Sequence, residues 1–168
     1  PKSNKKEFSK KFKKIVKKLT SHLKLKNNVF VHRDFHISNL MLVNDRIGVI
    51  DSQDAMIGNK AYDLASLIDD VRFKTSISLK NKVYNHYVNS NKKINEKKFK
   101  NDFEILSVLR NLKIIGIFTR LALRDNKAKY LKLIPYAWEM INFRMKQNKV
   151  FVNLNFLLKD NFRSILGK

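Results

Sequence analysis

The short segment around Asp34 places acidic and amide side chains at spacings that suit acid–base and metal chemistry. Asp34 follows His32 and Arg33, Asn39 comes after four intervening residues, and Asp51 lies twelve positions beyond Asn39. A carboxylate within hydrogen-bond reach of a hydroxyl can orient that hydroxyl and accept its proton. Amide and carboxylate oxygens are the hard ligands that Mg²⁺ prefers. We therefore assign Asp34 as a candidate general base, and Asn39 and Asp51 as candidate metal ligands.

This arrangement matches the pattern H-R-D-x-x-x-x-N of kinase catalytic loops, which is followed by a metal-binding Asp. Phosphoryl transfer uses each part, because the hydroxyl must lose a proton and the charge of the triphosphate must be offset. Strand-like runs at 40–43 and 46–50 flank Asn44 and Asp45, residue types that tolerate the positive φ of a tight turn. The spacing thus predicts a β-hairpin that brings both metal ligands to one end of its strands.

Two other interpretations of these residues remain open. If the segment were extended, His32, Asp34 and His36 would share one face of a strand and could hold a metal ion. Alternatively, Asp34 and Asn39 only form turns, and Asp51 only caps a loop or a helix.

The next acidic residue, Asp63, and the short approach to it indicate the kind of substrate. Tyr62 comes eleven positions after Asp51, which leaves no room for the long segment on which a protein kinase presents a peptide. The spacing therefore favours a small substrate. We expect Asp63 to begin a helix and to hydrogen-bond the backbone of the catalytic loop, and we expect His32 to be a buried histidine that braces the same loop.

The surrounding elements are mostly helical by their apolar spacing. An N-terminal helix over 4–25 carries an apolar stripe against a Lys-rich face, which we interpret as a surface helix rather than a membrane-surface helix. A strand at 29–31 leads into the catalytic and metal loops, which span 29–54, and the apolar tail from 150 shows no clear period. Within a helical subdomain over 60–168, helices are predicted at 62–71, 79–88, 95–123 and 135–146.

Composition limits the classes of protein that are compatible with this chain. Its 168 residues are 43% hydrophobic, contain no Cys and carry a net charge of +22. This length suits one domain or one lobe of a larger enzyme, and the missing Cys excludes disulfides and fits a cytoplasmic location. No apolar run is long enough to span a membrane. The excess Lys is spread along the whole chain, so we expect a solvated surface and consider a nucleic-acid partner unlikely.

Four segments carry a resemblance to a known family: VHRDFH with NLM at 31–41, GVID with QDA at 48–55, AYDLASL at 61–67, and RNLKIIGIF at 110–118. The first three resemble the aminoglycoside phosphotransferase and choline kinase superfamily. The fourth, which continues through RL at 120–121 and RD at 124–125, is similar to bacterial anomeric kinases of N-acetylmuramate and N-acetylglucosamine.

The resemblance implies an α+β, mostly helical fold, the C-lobe of a protein-kinase-like enzyme with a small β-hairpin at the catalytic loop. It implies ATP, or GTP in its place, and Mg²⁺ as cofactors and a sugar acceptor in cell-wall recycling. Asp54, Arg120 and Arg124 are then candidate contacts to the sugar or its carboxylate. Ser52 departs from the family, which has Phe after the metal-binding Asp. The four Gly are scattered, so no phosphate-cradling loop is present. We therefore expect the N-lobe to lie elsewhere in the polypeptide and the 168-residue piece to be inactive alone.

Several functions compete with the sugar kinase. An aminoglycoside, choline or homoserine kinase would share the same catalytic motif, since acceptor contacts lie outside it. An inactive pseudokinase would fit Ser52, and a basic nucleic-acid-binding module would fit the net charge.

Overall fold

The computed structural model describes residues 4–166, with side chains described as far as Phe162. Within this range the helices are α1 to α6 and the strands are β1 to β4. The helices span Lys5–Ser21, Ala61–Ile68, Ile77–Ser90, Glu96–Leu123, Ile134–Met145 and Val152–Leu166. The strands span Asn27–Val31, Leu40–Val43, Arg46–Val49 and Met56–Asn59. Short 3₁₀ turns lie at Ile37–Asn39, Ala128–Leu133 and Lys149–Phe151.

The first helix begins after the N-cap Asn4 and ends shortly before a segment whose backbone N–H groups bond to Asp102. Asn4 caps α1 by accepting the N–H of Lys6 at 2.9 Å, and Leu19 of the predicted stripe is buried in the core. The predicted helix continued to 25, but α1 ends at Ser21. Beyond it, the buried carboxylate of Asp102 accepts the N–H groups of Lys24 and Leu25 at 2.8 and 2.9 Å. These bonds satisfy the two backbone N–H groups without helical hydrogen bonds, so the helix ends before the apolar pattern does.

Two small antiparallel sheets frame the catalytic segment. β2 pairs with β3 in the predicted hairpin, with Leu40 opposite Val49. Its turn places Asn44 and Asp45 at φ 48° and 60°, as their residue types indicate. The sequence did not reveal β4, which pairs with β1 and puts Phe30 opposite Ile57. This pairing closes the segment that contains the catalytic and metal loops.

The long helix α4 is the centre of the helical part. It runs for 28 residues from Glu96 and is capped by Asn95, whose side chain accepts the N–H of Lys98 at 3.0 Å. Its apolar residues enter three core clusters. The first is formed with α1, α5 and α6, the second with α2 and α3, and the third with α5 and Val71. The apolar tail, which gave no clear period, forms α6 with a kink at Phe162. The mostly helical α+β fold class is thus confirmed.

A buried ion cluster joins four helices of this core. Asp69, which follows α2, is fully buried and receives both Nε and Nη2 of Arg144 from α5, at 2.7 and 3.0 Å. Ser107 of α4 donates to the same carboxylate at 2.6 Å, and Lys80 of α3 lies 3.3 Å away. Burial alone raises the pKa of Asp69, but these cationic and hydroxyl partners outweigh it and hold the pKa below its ordinary value.

None of the helices in the described range combines the length and the hydropathy needed to cross a bilayer.

Candidate active site

The backbone of the catalytic loop is strained and is held by one carboxylate. Arg33 has a φ of 74°, which is uncommon for a residue with a side chain. Asp63, in the first turn of α2, accepts the N–H of His32 at 2.7 Å and the N–H of Arg33 at 3.0 Å. The two bonds anchor the loop to α2 immediately before Asp34. This is the contact that we expected of Asp63, and it lets the strained conformation persist.

His32 connects the catalytic loop to the metal loop. Its ring is buried, and Nε2 lies 3.0 Å from the carbonyl oxygen of Ile50, so Nε2 carries the proton and donates. The ring of Phe35 packs edge-on, with centroids 6.1 Å apart. Ile50 also donates its own N–H to the carbonyl of Asn39 at 3.1 Å. Because Asp51 follows Ile50, these bonds place the residues Asn39 and Asp51 at the same end of the β2–β3 hairpin.

The side chain of Asn39 is buried in a defined orientation. Its Nδ2 donates to the backbone carbonyl of Asp34 at 2.9 Å, so the amide oxygen is the atom that remains for a ligand. Asp51 is exposed and has a φ of 68°. The carboxylate of Asp34 is partly exposed and makes no hydrogen bond or ion pair with any described residue. The amide oxygen of Asn39 and the carboxylates of Asp34 and Asp51 therefore have no hydrogen-bond partner among the described residues, and oxygen donors of these types fit Mg²⁺.

The alternative metal site at His32, Asp34 and His36 is not assembled. β1 ends at Val31, and the positive φ of Arg33 breaks the strand alternation on which that alternative depended. In the described part of the chain, no group of three or more His, Asp or Glu side chains is placed to hold a metal ion.

The sugar-contact candidates lie apart from this loop or face solvent. Asp54 is exposed, and its backbone carbonyl accepts Arg33 Nη1 at 3.1 Å. Arg120 and Arg124 are exposed at the C-terminal end of α4, and Arg124 pairs with its neighbour Asp125 at 2.7 Å. No hydrogen bond or ion pair between described residues joins either arginine to the catalytic loop.

Three charged residues that the sequence did not single out act electrostatically on the catalytic loop instead. Asp70 and Arg110 are buried, and Arg72 pairs with Asp70 at 3.1 Å. Burial, followed by the charge of Arg72, lowers the pKa of His36, and the charges of Asp70, Arg110 and Asp34 act on the same ring. Burial likewise lowers the pKa of Arg110, on which Asp70 and Asp34 also act. The sequence offered one signal for this group, since Arg110 lies among apolar residues of the predicted helix 95–123. It is also the first residue of the fourth resembling segment.

This arrangement defines the carboxyl-terminal lobe of a kinase-like phosphotransferase. The model of the phosphotransferase enzyme family matches residues 3–89, which is more than half of the chain. The chain belongs to this family.

Curated relatives support the same assignment. The N-acetylmuramate/N-acetylglucosamine kinase of Caulobacter vibrioides is 33% identical over 115 residues, which cover 66% of this chain and 32% of that protein. The enzyme of the same name from Neisseria meningitidis serogroup B is 36% identical over 132 residues, 75% of this chain and 39% of that protein. The enzyme of the same name from Pseudomonas aeruginosa is 32% identical over 139 residues, which cover 77% of this chain and 40% of that protein. The chain thus spans 32–40% of the length of these relatives.

Proposed function

We propose that the complete protein carrying this chain is an ATP- and Mg²⁺-dependent kinase that phosphorylates a hydroxyl of an amino sugar. The observation that carries the proposal is the set of hydrogen bonds that connects the catalytic loop to the metal loop. His32 binds the carbonyl of Ile50 at 3.0 Å, and Asn39 binds the carbonyl of Asp34 at 2.9 Å. The first bond links the catalytic loop to the residue before Asp51, and the second orients the amide of Asn39 against the backbone of Asp34. Both bonds support the arrangement of base and metal ligands that we propose for phosphoryl transfer.

In the proposed reaction, Asp34 orients the acceptor hydroxyl and takes its proton. A bond forms between the acceptor oxygen and the terminal phosphorus of ATP, the bond from that phosphorus to the bridging oxygen breaks, and ADP leaves with the electron pair. Asn39 Oδ1 and the carboxylate of Asp51 would hold the metal. When bound, Mg²⁺ offsets negative charge on the phosphate oxygens. The anchoring of the loop by Asp63 keeps Asp34 in place without reorganisation.

The acceptor class is proposed from the relatives and from the short approach to α2. Each of the curated relatives is named for N-acetylmuramate and N-acetylglucosamine. We propose the same amino sugars for this protein, phosphorylated at the 1-hydroxyl in cytoplasmic cell-wall recycling. The segment between Asp51 and α2 is too short for a peptide platform, which agrees with a small acceptor.

The exposed hairpin supports the proposed nucleotide and N-lobe partners. Leu42 and Ile47 lie opposite each other on β2 and β3 and are 73% and 64% exposed. Phe30 and Ile57, paired across β1 and β4, are exposed to a similar degree. Exposed apolar strand surfaces of this kind mark an interaction site. We propose that the base of ATP and an N-terminal lobe cover these surfaces in the complete protein.

The experiment uses the complete gene product with Mg²⁺-ATP. N-acetylmuramate, N-acetylglucosamine, choline, homoserine and an aminoglycoside are screened for a phosphate adduct by mass spectrometry. Asp34→Asn should lower turnover roughly 10²- to 10⁴-fold, the usual contribution of a general base. Asp45→Asn, at the exposed hairpin turn, should leave turnover unchanged. An adduct on choline, homoserine or the aminoglycoside alone would reassign the acceptor. Absence of both an adduct and Mg²⁺-ATP binding would favour a pseudokinase.

A further inference from the structure

Arg72 is a partly exposed guanidinium whose orientation is set by the surrounding residues. Its Nη1 donates to Asp70 Oδ1 at 3.1 Å, and the same oxygen accepts the backbone N–H of Arg72 at 3.2 Å. Its guanidinium carbon lies 5.7 Å from the ring centroid of Phe118. The side chain of Asp70 is 3% exposed, whereas that of Arg72 is 32% exposed. A buried carboxylate and an aromatic ring thus position a cation that a ligand can still reach.

A second guanidinium behind this pair leaves the group with excess positive charge. Arg110 of α4 is 5% exposed, and its buried Nη1 has no hydrogen-bond partner in the described part of the chain. Arg144, which is also buried, gives two nitrogens to Asp69. Among the described residues, Asp70 pairs with Arg72, and no carboxylate forms an ion pair with Arg110. An unpaired buried cation is unfavourable unless an anion or another acceptor completes its surroundings.

The segment that carries Asp70 and Arg72 lies beside the catalytic loop, because Asp70 and Phe73 line one recess together with Ile37. The charges of Arg72, Asp70, Arg110 and Asp34 all act on His36 of the catalytic loop, so they lie within electrostatic range of one side chain. In the proposed reaction Asp34 faces the acceptor hydroxyl and is not available to pair with the arginines. A recess of about 200 Å³ lies alongside, with Asp70, Phe73 and Ile37 of the catalytic loop in its wall.

We infer that Arg72 determines acceptor specificity by binding a carboxylate substituent of the sugar, that Asp70 positions Arg72, and that Arg110 supplies the charge that attracts the anion. This inference rests on the proposed function and adds a preference to it. Of the two acceptors named for the relatives, N-acetylmuramate carries a carboxylate on its lactyl group, and N-acetylglucosamine does not. The site should therefore favour N-acetylmuramate. A guanidinium suits this task because it offers several N–H donors in one plane to a carboxylate.

The test measures KM and kcat of the complete gene product for both sugars, with ATP varied separately. Arg72→Gln should raise KM for N-acetylmuramate about tenfold or more, since a charge-assisted hydrogen bond is lost. KM for N-acetylglucosamine and for ATP should change less than about threefold. Asp70→Asn should shift the same ratio in the same direction, because Arg72 loses its anchor. Lys74→Gln, an exposed cation two residues along the chain, is the matched control and should behave like wild type.

Calorimetric binding of N-acetylmuramate to wild type and Arg72→Gln accompanies the kinetics. Weaker binding to the variant alone supports the inference even where turnover fails, and turnover failure by itself counts against the proposed function only. Equal changes of KM for the two sugars, or a rise confined to the KM of ATP, would overturn the inference. The second result would place Arg72 on the donor phosphates. Wild-type protein that binds N-acetylmuramate no more tightly than N-acetylglucosamine would overturn it as well.

Discussion

The side-chain amide of Asn39 donates its N–H to the backbone carbonyl of Asp34 over 2.9 Å. The bond decides which end of the amide faces outward, because only nitrogen can donate to a carbonyl oxygen. Asn39 Oδ1 thereby remains as the atom for a ligand, and the bond ties the proposed metal ligand Asn39 to the backbone of the proposed base Asp34. A residue that could only accept would lose this orientation.

Replacing Asn39 with Asp tests that relationship. The carboxylate keeps an oxygen for Mg²⁺ but places a second oxygen against the Asp34 carbonyl, where repulsion replaces a hydrogen bond. We expect affinity for Mg²⁺ or turnover to fall roughly 10- to 100-fold, the usual effect of removing a bond that orients a ligand. The measurement is the Mg²⁺ dependence of turnover in the complete gene product. An unchanged Mg²⁺ curve would mean that the amide does not orient the ligand.

The bonds from Asp63 to the catalytic loop should be needed for both stability and turnover. In Asp63→Asn, the amide nitrogen replaces one of the two carboxylate oxygens that accept the backbone N–H groups of His32 and Arg33. Two donors then face each other, so one hydrogen bond is replaced by repulsion. The free energy of unfolding should fall by about 1–3 kcal/mol, since bonds to a charged acceptor are lost, and kcat should fall with it. Urea unfolding and steady-state kinetics give the two numbers. Asp125→Asn, a surface carboxylate, serves as the control and should change neither.

The buried ion cluster predicts a large loss of stability when its carboxylate is removed. Asp69→Asn leaves Arg144 and Lys80 buried without an anion, so the free energy of unfolding should fall by about 3–5 kcal/mol. Because the folded pKa of Asp69 is lowered, its contribution is present above its ordinary pKa and is lost as the pH falls through the folded pKa. Urea unfolding across the acid range should show a shallower pH dependence in the variant. A Glu139→Gln control, at an exposed pair with Lys74, should unfold like wild type.

Glu104 predicts a pH effect of the opposite sign. Burial raises its pKa, against the lowering effect of the hydrogen bond that Asn148 donates to Oε2 at 3.0 Å. A raised folded pKa means that the folded state holds the proton longer. The contribution of Glu104 is therefore complete below its ordinary pKa of 4.5 and is lost as the pH rises through the folded pKa.

The neutral isostere separates this effect from packing. Glu104→Gln should raise Tm relative to wild type at pH 7, where the wild-type side chain must carry a buried charge or hold an unfavourable proton. The difference should shrink or reverse at pH 4, where both side chains are neutral. Thermal unfolding from pH 4 to pH 8 measures it. A difference in Tm that does not vary with pH would contradict the raised pKa.

Local patterns determined a large part of what the chain shows. The hairpin, the N-cap at Asn95 and the spacing of Asp34, Asn39 and Asp51 follow from residue types within a few positions of one another. Turn chemistry, helix capping and a catalytic motif are short-range properties, so they are legible in a sequence alone. The family assignment rests on the same short segments.

Only the tertiary structure decided the contacts between distant segments. β4 was missed because its strand exists by pairing with β1, more than twenty positions earlier. α1 ends early because Asp102 accepts the backbone N–H of Lys24, which lies 78 positions earlier in the chain. The charged group of Asp70, Arg72 and Arg110 was likewise hidden, since its members come from a loop and from α4. Spacing along the chain reports on neighbours within one element, whereas burial and pairing of charges depend on which elements pack together.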